Sequence, residues 1–143
     1  ALAAPLPLPR RSDPTLARLG GWPGFTEAVA AAAAREGAAF IAAEEYGLAA
    51  QLAFRLPPGR VVVAMDPRWR HFALPTPAPG VTGLLVRSER RGEGPPLWPG
   101  AEPVPDGRLL RSRGGIEAEA YRLFRVTTAP GQPPAAVLPR PRD

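Results

Sequence analysis

The stretch AAFIAAEEYGLAAQLAFRLPPGRVVVAM, residues 38–65, decides the fold of this chain. It contains two short apolar segments, Ala38–Ala43 and Val61–Met65, whose length and composition are typical of strands buried on both faces. Between them, residues 47–56 carry leucines at four-residue intervals, which places these leucines on one face of a helix. Residues 57–59, Pro-Pro-Gly, end that helix. Two buried strands joined by one helix predict parallel pairing with a right-handed crossover.

A first helix is predicted upstream of this unit. It begins near Trp22 or Pro23, because proline is favoured in a first turn, and it ends at Gly37. Its apolar residues fall at spacings typical of one helical face. They are Phe25, Val29, Ala32 and Ala33. We expect this face to cover the sheet.

The second half of the chain is less regular. Residues 83–87 are predicted to form a third strand, and residues 108–113 and 118–126 a hairpin across a pair of glycines. The apolar residues of 118–126 do not alternate cleanly, which is typical of a β-bulge or a shift of register. Residues 66–80 and 89–107 are predicted to be loops.

These elements predict a small α/β domain of two or three layers, Rossmann-like, with a mixed sheet of about five strands. The parallel strand–helix–strand unit and a C-terminal hairpin are its main parts. The 21 prolines avoid the interiors of the predicted elements, which indicates a folded chain. We expect a juxtamembrane linker over residues 1–13, a soluble α/β domain over 14–128, and a proline-rich disordered tail over 129–143.

Composition excludes several function classes. The chain has no cysteine and one histidine, so it offers no thiolate nucleophile, disulfide framework or histidine-rich metal site. It has no glycine-rich phosphate loop and no Gly-x-Ser-x-Gly turn. We therefore expect no metal, no cofactor and no catalytic residue. The 18 basic residues, all arginine, are scattered among acidic ones, which argues against a nucleic-acid surface.

Polar residues follow both strands of the parallel unit. Because ligands of open α/β sheets bind beyond the carboxyl ends of the strands, these residues form the candidate binding site. They are Glu45 and Tyr46 after the first strand, and Asp66, Arg68, Arg70 and His71 after the second. Arg68 or Arg70 can hold a phosphate by a forked contact, and Glu45 or Tyr46 can meet a sugar hydroxyl.

Simpler interpretations of these residues stay open. Glu45, with its neighbour Glu44, can favour the N-terminal end of the following helix. Asp66 can begin an ordinary turn before Pro67, and Tyr46 can close the edge of the core. His71 can be a loop histidine. The tryptophans fit packing roles, and Trp69 also fits contact with lipid headgroups. The three tryptophans are Trp22, Trp69 and Trp98.

Several short motifs run along the chain in an order known from one family. They are Asp13-Pro14, Gly21-Trp22, the stretch YGLAAQLAFRLP from Tyr46 to Pro57, the run from Arg68 to Pro75, and the strand AYRLFR from Ala120 to Arg125. This order resembles the C-terminal region of bacterial family 39 glycosyltransferases. Their relatives are the dolichyl-phosphate-mannose protein mannosyltransferases and the lipid A aminoarabinose transferases. The helix at 46–57 is the strongest match.

The sequence departs from the family pattern at several positions. Arg55 stands where the family has Tyr. In the run that ends at Pro75, His71, Phe72, Ala73 and Pro75 replace Gln, Tyr, Asp and Trp.

The resemblance implies a specific role. These enzymes move a sugar from a polyprenyl-phosphate donor to an acceptor outside the cytoplasmic membrane, with catalytic acids in their membrane part. The chain is then a non-catalytic domain at the periplasmic face of the bacterial inner membrane. Its partners are the transmembrane part of its own chain, the lipid-linked donor, a glycan or protein acceptor, and the membrane surface. The alternative is a free-standing binding or adaptor domain for a protein or a small anionic ligand.

Overall fold

The computed structural model describes residues 16–19, 21–91, 94–113, 116–129 and 135–140. Within these ranges the chain forms two α-helices, seven strands and two short 3₁₀ turns. In chain order the helices and strands are β1 (Leu16–Leu19), α1 (Trp22–Arg35), β2 (Phe40–Ala43), α2 (Tyr46–Arg55), β3 (Val61–Ala64), β4 (Thr82–Ser88), β5 (Glu102–Arg113), β6 (Ile116–Thr127) and β7 (Ala136–Val137). The 3₁₀ turns are Pro67–Phe72 and Glu89–Arg91.

The strands form one mixed sheet in the order β1-β5-β6-β4-β2-β3-β7. Strand β2 pairs in parallel with β3 and with β4, so the predicted parallel strand–helix–strand unit is confirmed. Strand β1 is parallel to β5, whereas β6 and β7 run antiparallel to their neighbours. The α/β class and the mixed sheet are therefore correct. The strand count is higher than the expected five: six strands have four or more residues, and β7 has two.

The two faces of the sheet are covered differently. Side chains alternate between the faces with a period of two. Ile41 and Leu84 belong to a core cluster that also contains Phe25 of α1 and Leu52 of α2, so both helices lie on one face, here called the helix face. On the opposite face, here called the loop face, a second cluster is built around Trp98, which lies outside any strand or helix. The domain is therefore a two-layer arrangement, with an irregular segment over its second face.

Both helices bury the faces that the sequence predicts. In α1 the buried residues include Phe25, Val29, Ala32 and Ala33, and in α2 they are Leu48, Ala49, Leu52 and Ala53. Helix α1 ends at Arg35, just before Gly37, which has a φ of 65°. Such a left-handed conformation at a helix C-terminus favours glycine. Among the helices of the described ranges, none is both long and apolar enough to cross a membrane.

The C-terminal hairpin is longer than predicted and contains the expected bulge. Arg111 faces Glu119, but the next residue, Ser112, faces Glu117. Ala118 is thus the extra residue in β6, and the β-bulge predicted for this strand is confirmed.

Residues 102–107, predicted to be part of a loop, belong to β5 instead. The pairing of β1 with β5 covers only Arg108–Arg111, so this early part of β5 lies beyond β1. Among the described residues this part of β5 has no partner on the β1 side, and a proline, which lacks an N–H, is tolerated in such a position, as at Pro103 and Pro105.

Residues 135–140 differ from the disordered tail predicted for 129–143. The Leu138 N–H donates to the carbonyl of Val62 at 2.9 Å, and Leu138 is buried in the core. The Arg140 guanidinium donates to the carbonyls of Ala53 and Leu56 at the end of α2. The last carbonyls of a helix have no partners within the helix. The hydrogen bonds from Arg140 satisfy these carbonyls and hold residues 135–140 against the end of α2.

A substitution on α2 tests this packing. Leu52 is fully buried, so Leu52→Asp places an unpaired charge in the core and should lower the free energy of unfolding by at least about 4 kcal/mol. The matched control is Phe54→Asp on the same helix, where the side chain is 69% exposed and little change is expected. Thermal unfolding followed by circular dichroism measures both. Equal melting temperatures for Leu52→Asp and the wild-type protein would contradict this placement of the helix.

Candidate functional site

The carboxyl ends of β2, β3 and β4 lie at one edge of the sheet because these strands run in parallel. Helix α2 begins directly after β2, and α1 begins after β1, which runs in the same direction as β2. Both helices therefore start at this edge, here called the carboxyl edge. Open α/β sheets bind their ligands at such edges.

Three of the predicted site residues meet at the carboxyl edge. Arg68 makes a forked contact with Asp66, from Nε to Oδ1 at 3.0 Å and from Nη2 to Oδ2 at 3.1 Å. The same guanidinium lies 4.2 Å from the ring centroid of Tyr46. Trp69 stacks against Tyr46 with a centroid distance of 4.6 Å and an interplanar angle of 22°. These four residues form the aromatic cluster.

The contacts of Asp66 have a structural explanation. The hydrogen bond from the Arg68 side chain lowers the pKa of Asp66, so this carboxylate is ionised at neutral pH. Asp66 Oδ1 also accepts a hydrogen bond from the backbone N–H of Arg68 at 2.9 Å, which begins the 3₁₀ turn Pro67–Phe72. The interpretation of Asp66 as a turn starter is thus confirmed. The forked contact that we predicted for a phosphate is made to Asp66 within the chain.

Two predicted site residues can be placed only by their backbone. Arg70 and His71 belong to the 3₁₀ turn Pro67–Phe72, directly beside the aromatic cluster. Their side chains lie outside the part of the chain that the structure describes.

Glu44 and Glu45 leave the end of β2 toward opposite faces. Glu44 is buried on the loop face, where it accepts from the Leu97 N–H at 2.7 Å and from Arg87 Nε at 3.1 Å. This carboxylate ties the segment that carries Trp98 to the end of the sheet. Glu45 is half-buried, precedes the first residue of α2, and lines a cavity with residues of the helix face.

This cavity, here called the edge cavity, has a volume of about 340 Å³ and lies between the N-terminal ends of α1 and α2 and the strands β4, β5 and β6. Its aromatic and polar lining comes from every one of these elements. The lining includes Trp22, Glu45, Gln51, Arg90, Arg111 and Tyr121. The edge cavity and the aromatic cluster are separate, so the structure divides the predicted site between two places.

Arg111 is the most buried cation of the edge cavity, with only 6% of its surface exposed. Its Nε donates to the Tyr121 hydroxyl at 3.1 Å, and its guanidinium carbon lies 3.9 Å from the ring centroid of Trp22. Within the described ranges no carboxylate forms an ion pair with Arg111. A buried charge ordinarily has such a partner because desolvation is costly.

The pKa of Tyr121 depends on the charges around the cavity. Burial raises the pKa of the Tyr121 phenol, and the hydrogen bond from Arg111 acts in the opposite direction. The charge of Glu45 acts on the same phenol and raises its pKa. Arg111 and Glu45, which form no ion pair with each other, are therefore both within electrostatic reach of one hydroxyl.

The other buried carboxylate near the cavity is compensated. Glu119, which faces Arg111 across the hairpin, accepts from Ser88 Oγ at 3.2 Å and pairs with Arg90 Nε at 3.1 Å. Among the described charges that line the cavity, Arg111 and Glu45 are thus the ones without an ionic partner.

The sequence contained a signal for Arg111 that the prediction did not use. Leu109 and Arg111 are two residues apart in β5, so they share a face of the strand, and Leu109 is buried in the core. An arginine at an inward position of a strand is unusual, because arginine is rarely buried without a partner. Trp22 and Tyr121 carried no such signal, since aromatic side chains are common in cores.

Comparison of the chain with protein-family models, with curated proteins and with solved structures gives no match. Among the described residues, no group of three histidine, aspartate or glutamate side chains is placed to hold a metal ion. The chemistry of the carboxyl edge therefore follows from its own geometry. That geometry consists of two arginines on aromatic rings, one of them paired and exposed, the other unpaired and buried.

The raised pKa of the Tyr121 phenol predicts that the stability of the fold depends on pH. An unfolded tyrosine loses its proton near pH 10, whereas the folded chain holds the Tyr121 proton to higher pH. This contribution to stability is full below about pH 10 and is lost as the pH rises through the folded pKa, so the free energy of unfolding should fall there.

Absorbance of the phenolate, together with melting curves from pH 8 to 12, measures this effect. Tyr121→Phe should remove the late step of the phenolate titration and flatten the alkaline fall in melting temperature. A titration that is unchanged by this substitution would contradict the burial of the hydroxyl.

Proposed function

We propose that this chain is a non-catalytic, extracytoplasmic domain of a membrane glycosyltransferase, which moves a sugar from a polyprenyl-phosphate donor to an acceptor. In this proposal the carboxyl edge faces the substrate site of the membrane part and helps to shape it. One observation carries the proposal: three aromatic residues from different motifs that resemble the transferase family, Trp22, Tyr46 and Tyr121, all lie at the carboxyl edge, the first and last in the edge cavity and Tyr46 in the aromatic cluster.

These three residues lie far apart in the sequence, and each has an arginine beside it. Arg111 lies over Trp22 and donates to Tyr121, while Arg68 lies over Tyr46. A core requires buried rings, but it does not require guanidinium groups on them. The repeated pairing supports an edge that presents cationic, hydrogen-bonding groups to a substrate.

The edge is suited to binding. Arginines can engage phosphate oxygens, and Glu45 can accept hydrogen bonds from sugar hydroxyls. Partners in this proposal are the transmembrane part of the same protein, the lipid-linked donor, a glycan or protein acceptor, and the membrane surface. The location is the periplasmic face of the bacterial inner membrane.

A Rossmann-like relationship is the finer part of the proposed fold. It is supported by the three adjacent parallel strands β2, β3 and β4, by the helix that joins β2 to β3, and by the position of the edge cavity beyond the strand ends.

A free-standing binding domain for a small anionic ligand is the second candidate function. Arg111 favours it, because a buried guanidinium without a carboxylate partner is complementary to an anion whether or not a membrane part is attached.

The gene sequence upstream of the codon for Ala1 separates the two candidates. The transferase proposal predicts repeated apolar segments of about 20 residues, with acidic residues in an early extracytoplasmic loop. Sequencing of the source gene and a hydropathy profile give the answer. A start codon or a short cleavable signal directly upstream would refute the transferase and favour the free-standing domain.

Substitutions at the edge test its role in transfer. In the full-length transferase, Glu45→Ala and Arg68→Ala should each lower sugar transfer by roughly tenfold, the effect of losing one charge-assisted contact. Neither should lower the melting temperature by more than a few degrees, since the Arg68 side chain is 65% exposed.

The matched control is Arg35→Ala, an exposed arginine at the C-terminal end of α1, away from the edge. It should transfer sugar at the wild-type rate. Wild-type turnover of both edge variants would show that these residues serve the structure alone.

A further inference from the structure

Arg111 is placed as a ligand-binding arginine rather than a structural one. Its surface is 6% exposed, yet in the described part of the chain its guanidinium contacts a hydroxyl and an aromatic ring and forms no ion pair, because Glu119, which faces it across the hairpin, pairs with Arg90 instead. Arg87, whose side chain is 12% exposed, has an acidic partner in Glu44. The energy of desolvating Arg111 is thus only partly offset by Tyr121 and Trp22, and an anion in the edge cavity would offset more of it.

The geometry of Arg111 leaves its forked end available. Its Nε donates to Tyr121, and neither terminal nitrogen makes a hydrogen bond to a described residue. Among the described residues, Trp69 Nε1 is the one side-chain nitrogen or oxygen that is buried and has no hydrogen-bond partner. The terminal nitrogens of Arg111 are therefore not fully buried and keep some contact with solvent, and Arg111 is one of the residues that line the cavity. Two parallel N–H groups match the oxygens of a phosphate or carboxylate.

The starts of the two helices add to the same preference. Helices α1 and α2 have 14 and 10 residues, and both begin at this cavity. Neither N-terminus is capped by a side-chain hydrogen bond, and neither first turn contains an acidic residue. Their free N–H groups and positive dipole ends favour an anion beside Arg111.

Glu45 limits which anions fit. It lines the same cavity and, within the described ranges, its carboxylate has no ionic or hydrogen-bonded partner. A bare anion meets its negative charge, whereas a ligand that also has hydroxyl groups can donate a hydrogen bond to it. A cavity of about 340 Å³ accommodates a ligand of the size of a phosphorylated monosaccharide.

We propose that the edge cavity binds a phosphate monoester that carries hydroxyl groups, with the phosphate on Arg111 and a hydroxyl on Glu45. This inference deepens the proposed function by naming the ligand of the carboxyl edge, and it rests on that function only for the role of the edge in transfer. The phosphate comes either from a free sugar phosphate or from a lipid headgroup.

Nuclear magnetic resonance on the whole chain tests the site without any mutation. The three tryptophans give three indole N–H signals, which Trp→Phe variants assign. Trp22 lines the cavity, whereas Trp98 is buried on the loop face and donates to the Thr127 carbonyl at 3.0 Å. Millimolar glucose 1-phosphate should shift the Trp22 signal in a saturable way and leave the Trp98 signal in place. Equal shifts, or none, would overturn the proposal.

Two substitutions locate the groups that bind. Arg111→Met should weaken glucose 1-phosphate binding by at least roughly tenfold, the effect of losing a charge-assisted forked contact, while the matched Arg35→Met leaves it unchanged. Glu45→Gln should remove the preference for glucose 1-phosphate over inorganic phosphate. If Arg111→Met does not fold, the saturable shift of Trp22 in the wild-type protein decides alone.

Sedimentation with vesicles that contain phosphatidylinositol 4-phosphate, whose headgroup is a phosphate monoester with hydroxyl groups, distinguishes the two sources of phosphate. Retention of the wild-type chain and loss of retention in Arg111→Met indicate a lipid headgroup. Binding of glucose 1-phosphate without retention indicates a free sugar phosphate. Failure of both probes overturns this proposal but leaves the upstream gene sequence to decide the transferase, so the two failures are distinguishable.

Discussion

The four residues of β2, Phe40–Ala43, are buried on both faces of the sheet and pair in parallel with β3 on one side and β4 on the other. Parallel strands in this position need cover on both faces. The helices supply it on one face, and Trp98 supplies it on the other by stacking on Phe40 with a centroid distance of 5.6 Å. Gly83 of β4 pairs with Phe40 of β2, and a Cβ added to Gly83 would lie 2.2 Å from the Phe40 ring.

The alternation that buries β2 continues past its carboxyl end and separates two adjacent glutamates. Glu44 follows the loop face and becomes a buried anchor with three cationic or N–H partners. Those partners are Leu97, Arg87 and Arg91. Glu45 follows the helix face and enters the edge cavity without an ionic partner. A one-residue difference in position thus decides whether a carboxylate stabilises the fold or is available to a ligand.

The contrast between Arg68 and Arg111 rests on solvation. Arg68 is exposed, paired with Asp66 and screened by water, so its ion pair contributes little to stability and little is lost if a ligand displaces it. Arg111 is buried and has no carboxylate partner among the described residues, so an incoming anion would offset part of what its desolvation costs. Both guanidinium groups stack on aromatic rings, which a lysine would do less well, and the chain has arginine at all 18 of its basic positions.

Local periodicity in the sequence is sufficient to predict the strand–helix–strand unit, the buried faces of both helices and an irregularity in β6, which the pairing with β5 locates at Ala118. The sequence also predicts that Tyr46, Asp66 and Arg68 lie at one edge, because parallel strands end on the same side, and these residues are in contact there. The addition of β1 and β7 to the sheet follows from tertiary contacts, since β7 has two residues, too few for a pattern, and β1 pairs with β5, which is distant in the chain. Tertiary contacts also place Arg111 beside Trp22 and in one cavity with Glu45, because that cavity is formed by elements that are distant in the chain.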